Sequence, residues 1–189
     1  MVKLKVMISM ELEGVTEVVP AEEDFQYFFT VMCSNCRETH PNIISFNVKD
    51  EVEITGSRGH ANFVWRCHNC KKENTASIIP TPPSKSISPT PYTTSGQWDT
   101  LISLDCRGLE FTKFHFVGKW KCRPDVQVEE EGEGEGEGGG RGKGNRNGKG
   151  KGKKQEFEVE FEDGRWDDYD DINGIPVGIN DNKSEIRRA

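Results

Sequence analysis

From Val2 to Leu12 every even position is apolar, Val2, Leu4, Val6, Ile8, Met10 and Leu12, while the odd positions hold Lys3, Lys5, Met7, Ser9 and Glu11. A period of two sends alternate side chains to opposite faces, so the pattern predicts a long strand with one face on a core and one in water. Phe25 to Met32 predicts a second strand, apolar on both faces. Residues 43 to 55 predict a further strand or hairpin arm, with Val48, Val52 and Ile54 set against Lys49, Glu51 and Glu53. GSRGHA at Gly56 to Ala61 predicts a tight turn, because glycine admits positive φ; Arg58 and His60 read as solvated turn residues. A strand Phe63-Val-Trp-Arg-Cys67 follows. Further on, Phe114, Phe116, Trp120 and Cys122 alternate with His115, Val117, Lys119 and Lys121. Phe157, Val159 and Phe161 alternate with glutamates, and both runs predict paired strands.

Three stretches break this rhythm. Residues 80 to 96, PTPPSKSISPTPYTTSG, carry too many prolines for a helix or an inner strand and read as a linker or long surface loop. Residues 129 to 154 have no apolar side chain to offset chain entropy, and the acidic-then-basic Gly-rich run predicts a disordered insertion in a hairpin loop. DGRWDDYDDINGIPVGI gathers Asp167, Asp168, Asp170 and Asp171 beside Trp166 and Tyr169. That set could attract a hard cation, but the spacing is not that of an EF-hand loop. The expectation is that the aromatics anchor the segment on a sheet and the carboxylates stay in water.

One repeat bears on the architecture. ISLDCRGLEFTK at Ile102 to Lys113 echoes ISMELEGVTEVV at Ile8 to Val19, with Ile, Ser, an apolar residue, an acid and then Gly in the same order. A strand ending in a glycine turn used twice suggests two related β-rich halves.

Candidate chemistry is concentrated in two short turns, CSNC at Cys33 to Cys36 and CHNC at Cys67 to Cys70, with 30 residues between the facing cysteines. Each follows a predicted strand. Two C-x-x-C pairs supply the four thiolates that a tetrahedral zinc ion takes at about 2.3 Å, so Cys33, Cys36, Cys67 and Cys70 are the expected ligands of one Zn2+. With all four positions filled by sulfur the site is of the closed, structural kind. Closing the loop costs about 3 kcal/mol by logarithmic scaling, against about 10 to 16 kcal/mol supplied by zinc in small zinc peptides. His40, His60, His68 and Asn35 lie close enough in sequence to compete as ligands, and none is needed. The competing reading of the pairs is two independent redox dithiols.

Cys106 and Cys122 fall outside the pattern, and Cys106 takes an inward position of the repeat, as a core residue would. Arg107 beside it could instead lower its pKa and make it reactive, as a methionine sulfoxide reductase would need. The residues around Cys106 do not resemble that family's catalytic motif.

Charge narrows the partners. The formal net charge of −7 falls almost wholly on residues 155 to 189, and the chain up to residue 128 is close to neutral. That balance disfavours a dedicated nucleic-acid binder, which neutralises phosphates with a basic face. The six cysteines in paired spacing favour a metal in a reducing compartment over disulfides. No apolar run suits a signal peptide or approaches the roughly 18 residues of a membrane span.

Several stretches together resemble the eukaryotic CXXC-motif-containing zinc-binding protein family: EDFQYFFTVMCSNC, the GSRGHA turn, WRCHNCKKEN, DCRGLE and WDDYDD. The resemblance implies an all-β, sandwich-like protein with one zinc on Cys33, Cys36, Cys67 and Cys70, and it implies no reaction. The expected layout is a zinc-binding β half at 1–79, the loop at 80–96, and a second β half at 97–128 and 155–189, interrupted by the insertion at 129–154. The expected function is a non-enzymatic zinc protein that meets a protein partner, monomeric, off the membrane, cytoplasmic and compatible with the nucleus. The alternative is a metal-handling or thiol-redox protein exchanging zinc or copper at the four cysteines.

Overall fold

A computed structural model describes residues 1–81, 87–125 and 155–189. The expected disorder of 129–154 falls outside the described residues, as does part of the proline-rich loop. Every regular element among the described residues is a strand.

The even-position pattern becomes β1 (Val2–Glu13), with Leu4, Val6, Ile8 and Met10 all buried. Gly14, at φ 65°, turns the chain into β2 (Val15–Pro20). β3 (Tyr27–Cys33) alternates buried and half-buried residues and ends on the first knuckle cysteine. The expected arm at 43 to 55 is instead two short pieces, β4 (Ile44–Phe46) and β5 (Val52–Glu53). Asn47 interrupts it: its Oδ1 accepts from the Lys49 and Asp50 N–H groups at 2.7 and 2.8 Å, while Asp50 Oδ2 accepts from Asn47 N–H at 2.8 Å. Such a side-chain turn competes with the ladder. β5 pairs with β6 (His60–Ala61) across the Gly56 turn.

β7 (Phe63–Arg66) enters the second knuckle and β8 (Glu73–Ile79) leaves it. β9 (Asp99–Arg107), Gly108 at φ 75° and β10 (Leu109–His115) reproduce the strand–glycine–strand order of β1, Gly14 and β2. β11 (Lys119–Pro124), β12 (Phe157–Glu160), β13 (Trp166–Asp170) and β14 (Ile175–Arg188) complete the set.

The largest sheet runs β13-β14-β1-β9-β8-β7, and two three-stranded sheets run β10-β3-β4 and β12-β11-β2. The two occurrences of the repeat are neighbours, β1 pairing antiparallel with β9 (Leu4 opposite Leu104, Val6 opposite Ile102). The strand after each glycine then crosses over. β2 joins β11, whereas β10 joins β3, so the early and late parts of the chain are interleaved strand by strand.

One core fills the space between the curled sheets. Phe29, fully buried, lies 4.6 Å from Phe111 and 5.4 Å from both Phe46 and Phe114, centroid to centroid. Trp120 packs edge-on to Phe25 at 5.2 Å. Offset and edge-to-face rings of this kind hold more than their buried area alone.

The proline-rich loop is tied down by Tyr92. The ring is buried, its backbone exchanges hydrogen bonds with Val18 at 2.9 and 3.0 Å, and its hydroxyl accepts from Met10 N–H at 3.0 Å and lies within donating distance of the Met10 and Gln97 carbonyls. In the hairpin of β13 and β14 the expectation is half corrected. Trp166 packs at 6.0 Å from Phe157, but Tyr169 points into solvent. Asp170 is the buried one, its Oδ1 accepting from the Ile172 and Asn173 N–H groups and its Oδ2 from the Asn173 amide at 2.6 Å. Those donors, the Asn173 side chain first, hold its carboxyl below the usual range.

Candidate metal centre

The two knuckles share one backbone geometry. In the first, Cys33 N–H donates to the Glu38 carbonyl at 2.8 Å and Arg37 N–H to the Cys33 carbonyl at 2.9 Å. In the second, Cys67 N–H donates to the Lys72 carbonyl at 2.9 Å and Lys71 N–H to the Cys67 carbonyl at 3.0 Å. Both turns close through a left-handed residue, Arg37 at φ 62° and Lys71 at φ 61°. For a residue with a Cβ this conformation costs about 1–2 kcal/mol. Lys72 Nζ donates to Asn35 Oδ1 at 2.6 Å and ties one knuckle to the other.

This arrangement converges four sulfurs. All four ligand atoms lie within 4.8 Å of one another, with Cys33 Sγ to Cys70 Sγ at 3.6 Å and Cys36 Sγ to Cys67 Sγ at 3.5 Å. A disulfide would bring a pair to about 2.05 Å, and all six cysteines are free. A regular tetrahedron around an ion with bonds of about 2.3 Å has edges of about 3.8 Å. The observed spacings are close to that edge, so the donor set fits a tetrahedral, sulfur-binding metal. Cys33 and Cys67 are fully buried, while Cys36 and Cys70 are half-buried.

Hydrogen bonds to sulfur complete the cage. The Asn74 amide reaches Cys33 Sγ at 4.0 Å, and the Lys72 backbone N–H faces the Cys70 thiol and holds its pKa below the ordinary value against the opposing effect of desolvation. Asn74 is itself 1 % exposed, and its amide also donates to the Lys72 carbonyl at 3.4 Å. Gly108 gives it room: a Cβ there would stand 2.3 Å from Asn74 Oδ1. The Gly108 carbonyl also accepts from Ser34 N–H at 3.0 Å. The clip therefore draws on the second occurrence of the repeat, since the glycine after β9 buttresses the knuckle that follows β3. Asn74 and Gly108 escape a reading of the cysteines alone. The signal for Gly108 was the repeat's own glycine.

The four other residues near the knuckles stay apart from the sulfur cluster. The His40 ring stands edge-on to Trp65 at 5.4 Å, with Nδ1 2.8 Å from the Asn42 carbonyl. His60 lies opposite Glu53, His68 is exposed, and Asn35 holds Lys72. Cys106 and Cys122 are buried in the core, and burial pushes each thiol up to about 12. For Cys106, Asp105 and Glu110 add to that effect. The activation that Arg107 could have provided is therefore overturned.

The sequence model of the eukaryotic CXXC motif containing zinc binding proteins matches residues 5–131. The chain belongs to this family. A UPF0587 protein of Schizosaccharomyces pombe is 38% identical over 119 residues, 62% of this chain and 71% of that one. The human CXXC motif containing zinc binding protein is 30% identical over 112 residues, 59% of this chain and 68% of its own length. In fold, the chain is similar to the crystal structure of C1orf123, with a TM-score of 0.75 at 23% identity over 99% of both chains. A hypothetical protein from Plasmodium falciparum gives 0.73 at 22% identity over 99% of this chain and 100% of that one. The family is thus one of zinc-binding proteins, and this member places four cysteines where a metal can be held.

Proposed function

We propose that the metal is Zn2+, that it is structural, and that the chain is a non-enzymatic module presenting a surface to a protein partner. The observation that carries this reading is the closure of the cage. Four thiolates converge from two knuckles whose backbone bonds are already made, which leaves no coordination position for water or substrate. The two remaining thiols are buried and protonated at neutral pH, so they supply no nucleophile.

A second reading, exchange of zinc or copper with thiol oxidation, is favoured by the half-exposed Cys36 and Cys70 and by the lowered pKa of Cys70. Metal analysis with thiol titration, before and after a mild oxidant, decides between them. One tightly held zinc with unreactive knuckle thiols is expected. Ready release of zinc with disulfide formation at the knuckles would sink the structural reading. Cys67→Ser is expected to lose the metal and unfold cooperatively, because zinc supplies about 10–16 kcal/mol in small zinc peptides. A Cys67→Ser chain that stays fully folded without metal would contradict the claim that zinc completes the fold.

A further inference from the structure

The knuckle end carries an unusual charge arrangement. Arg37, Arg66, Lys71, Lys72 and Arg107 are all exposed there, in or beside the two turns and the Gly108 corner. None of the five makes an ion pair among the described residues. Elsewhere among the described residues Lys49, Lys119, Arg123, Arg165, Lys183, Arg187 and Arg188 pair with carboxylates, while Lys3, Lys5, Arg58, Lys113 and Lys121 do not, so what sets the five apart is their gathering around two adjoining turns. The nearby acids offset only part of the collar: Glu73, whose Oε1 accepts from the Thr55 N–H at 3.0 Å, and the exposed Glu38 leave an excess of cations there.

The hydrogen bonds to sulfur come from Asn74 and the Lys72 backbone, so none of the five side chains is spent as a donor to the cage. Arg66 Nε donates instead to the Lys71 carbonyl, and Lys72 Nζ to Asn35. Moreover, Arg37 and Lys71 occupy the one position in each knuckle where the left-handed backbone favours glycine. A strained residue kept in matching places on both turns points to a use for its side chain.

We propose that this cationic collar is the surface that receives the protein partner, and that the partner contributes an acidic peptide segment. This rests on the interaction reading above and adds its chemistry. Arginine pairs with carboxylates through a planar fork, which suits a carboxylate-rich strand or loop. A single-stranded nucleic acid fits the surface less well, because stacking on exposed aromatic rings accompanies charge in such sites. The exposed aromatic rings, Trp98 before β9 and Tyr169 in β13, lie elsewhere, and Trp65, the tryptophan beside the second knuckle, is 7 % exposed.

The test uses the full, zinc-loaded chain and a fluorescein-labelled oligoglutamate peptide, read by anisotropy at low salt and again at about 0.15 M. Arg37→Gly with Lys71→Gly removes two charges at positions where glycine relieves strain, so the fold should survive. Lys49→Ala with Lys119→Ala removes the same charge outside the collar, from residues paired with Glu23 and Glu158. The expected result is binding that weakens with salt, falls about tenfold in the double glycine variant and is unchanged in the double alanine variant. Equal binding by all three chains overturns the proposal. So does tighter capture of a single-stranded oligonucleotide than of the peptide. Metal analysis of the same samples separates the two levels of argument. A wild-type chain that keeps its zinc and ignores the peptide defeats the acidic partner alone, whereas one that sheds zinc defeats the closed cage on which it rests.

Discussion

Replacing Gly108 by alanine tests the link between the repeat and the metal centre. At φ 75° the new side chain meets the left-handed penalty, about 1–2 kcal/mol. Its Cβ would also stand 2.3 Å from Asn74 Oδ1, so Asn74 must move. That residue is buried and held through the Lys72 carbonyl and Cys33 Sγ; pulling its amide away from a charged sulfur costs about 1.5–3 kcal/mol more. The expected total is about 2.5–5 kcal/mol. Gly14→Ala is the internal control. It carries the same backbone penalty at φ 65°, and its Cβ would meet Val177 Cγ1 at 3.0 Å, the Pro176 carbonyl at 3.4 Å and Ile175 Cδ1 at 3.6 Å, all in β14 and none in the cage.

Urea unfolding of the metal-loaded chain should therefore separate the two variants by about 1.5–3 kcal/mol, or roughly 1 M in midpoint for a slope of about 2 kcal/mol/M. A chelator should also extract zinc faster from the Gly108 variant than from the Gly14 variant. If both unfold at the same midpoint and release zinc at the same rate, Asn74 does not couple that corner to the sulfurs and the buttress argument fails.

Tyr92→Phe removes the hydroxyl that meets the buried Met10 N–H, and should cost about 1–3 kcal/mol in urea while speeding proteolysis in residues 87–96; an unchanged midpoint would refute its anchoring role. The Cys106 and Cys122 thiols, raised by burial from 9.0 to about 12, stay protonated in the folded chain where the unfolded chain ionises. Their contribution to stability is intact below about pH 9 and falls as pH rises toward 12, by at most about 1.4 kcal/mol per unit for each thiol. Cys106→Ala should flatten that decline when midpoints are compared at successive pH values, and an unaltered slope would count against the assignment.

Local periodicity carried much of the fold. The even positions of β1 are buried as a period of two requires, and both cysteine turns lie at strand ends, because such features depend on neighbours a few residues away. What was not legible depends on distance or on one side chain. Nothing in the run from Val48 to Ile54 announces that Asn47 will bond two backbone N–H groups and end the strand. Tyr92 sits among prolines that by themselves suggest a detached loop, and its anchorage needs Met10, 82 residues away. Asp170 resembles its solvated neighbours until Asn173 is placed against it. The crossing of β2 to β11 and of β10 to β3 is a matter of long-range register, which no single strand encodes. Gly108 was visible as part of a repeat, but its service to the metal centre appears only when β9 is laid beside β8.

The interleaving also sets an order of events during synthesis. β1 is made early, yet its two neighbours are β9 and β14, and β14 lies furthest along the chain while standing inside the sheet. β2 and β3 likewise wait for β11 and β10. β1 therefore keeps an unpaired edge until residues 175–188 arrive, and β2 and β3 until β11 and β10 are made. The sulfur cluster is local by comparison, since all four cysteines lie between residues 33 and 70, and the β3–β4, β5–β6 and β7–β8 pairs are likewise close in sequence. Under the structural reading proposed above, capture of the ion would fasten β3 to β7 while the rest is still being made, and metal supply would then bear on folding as well as on the finished protein.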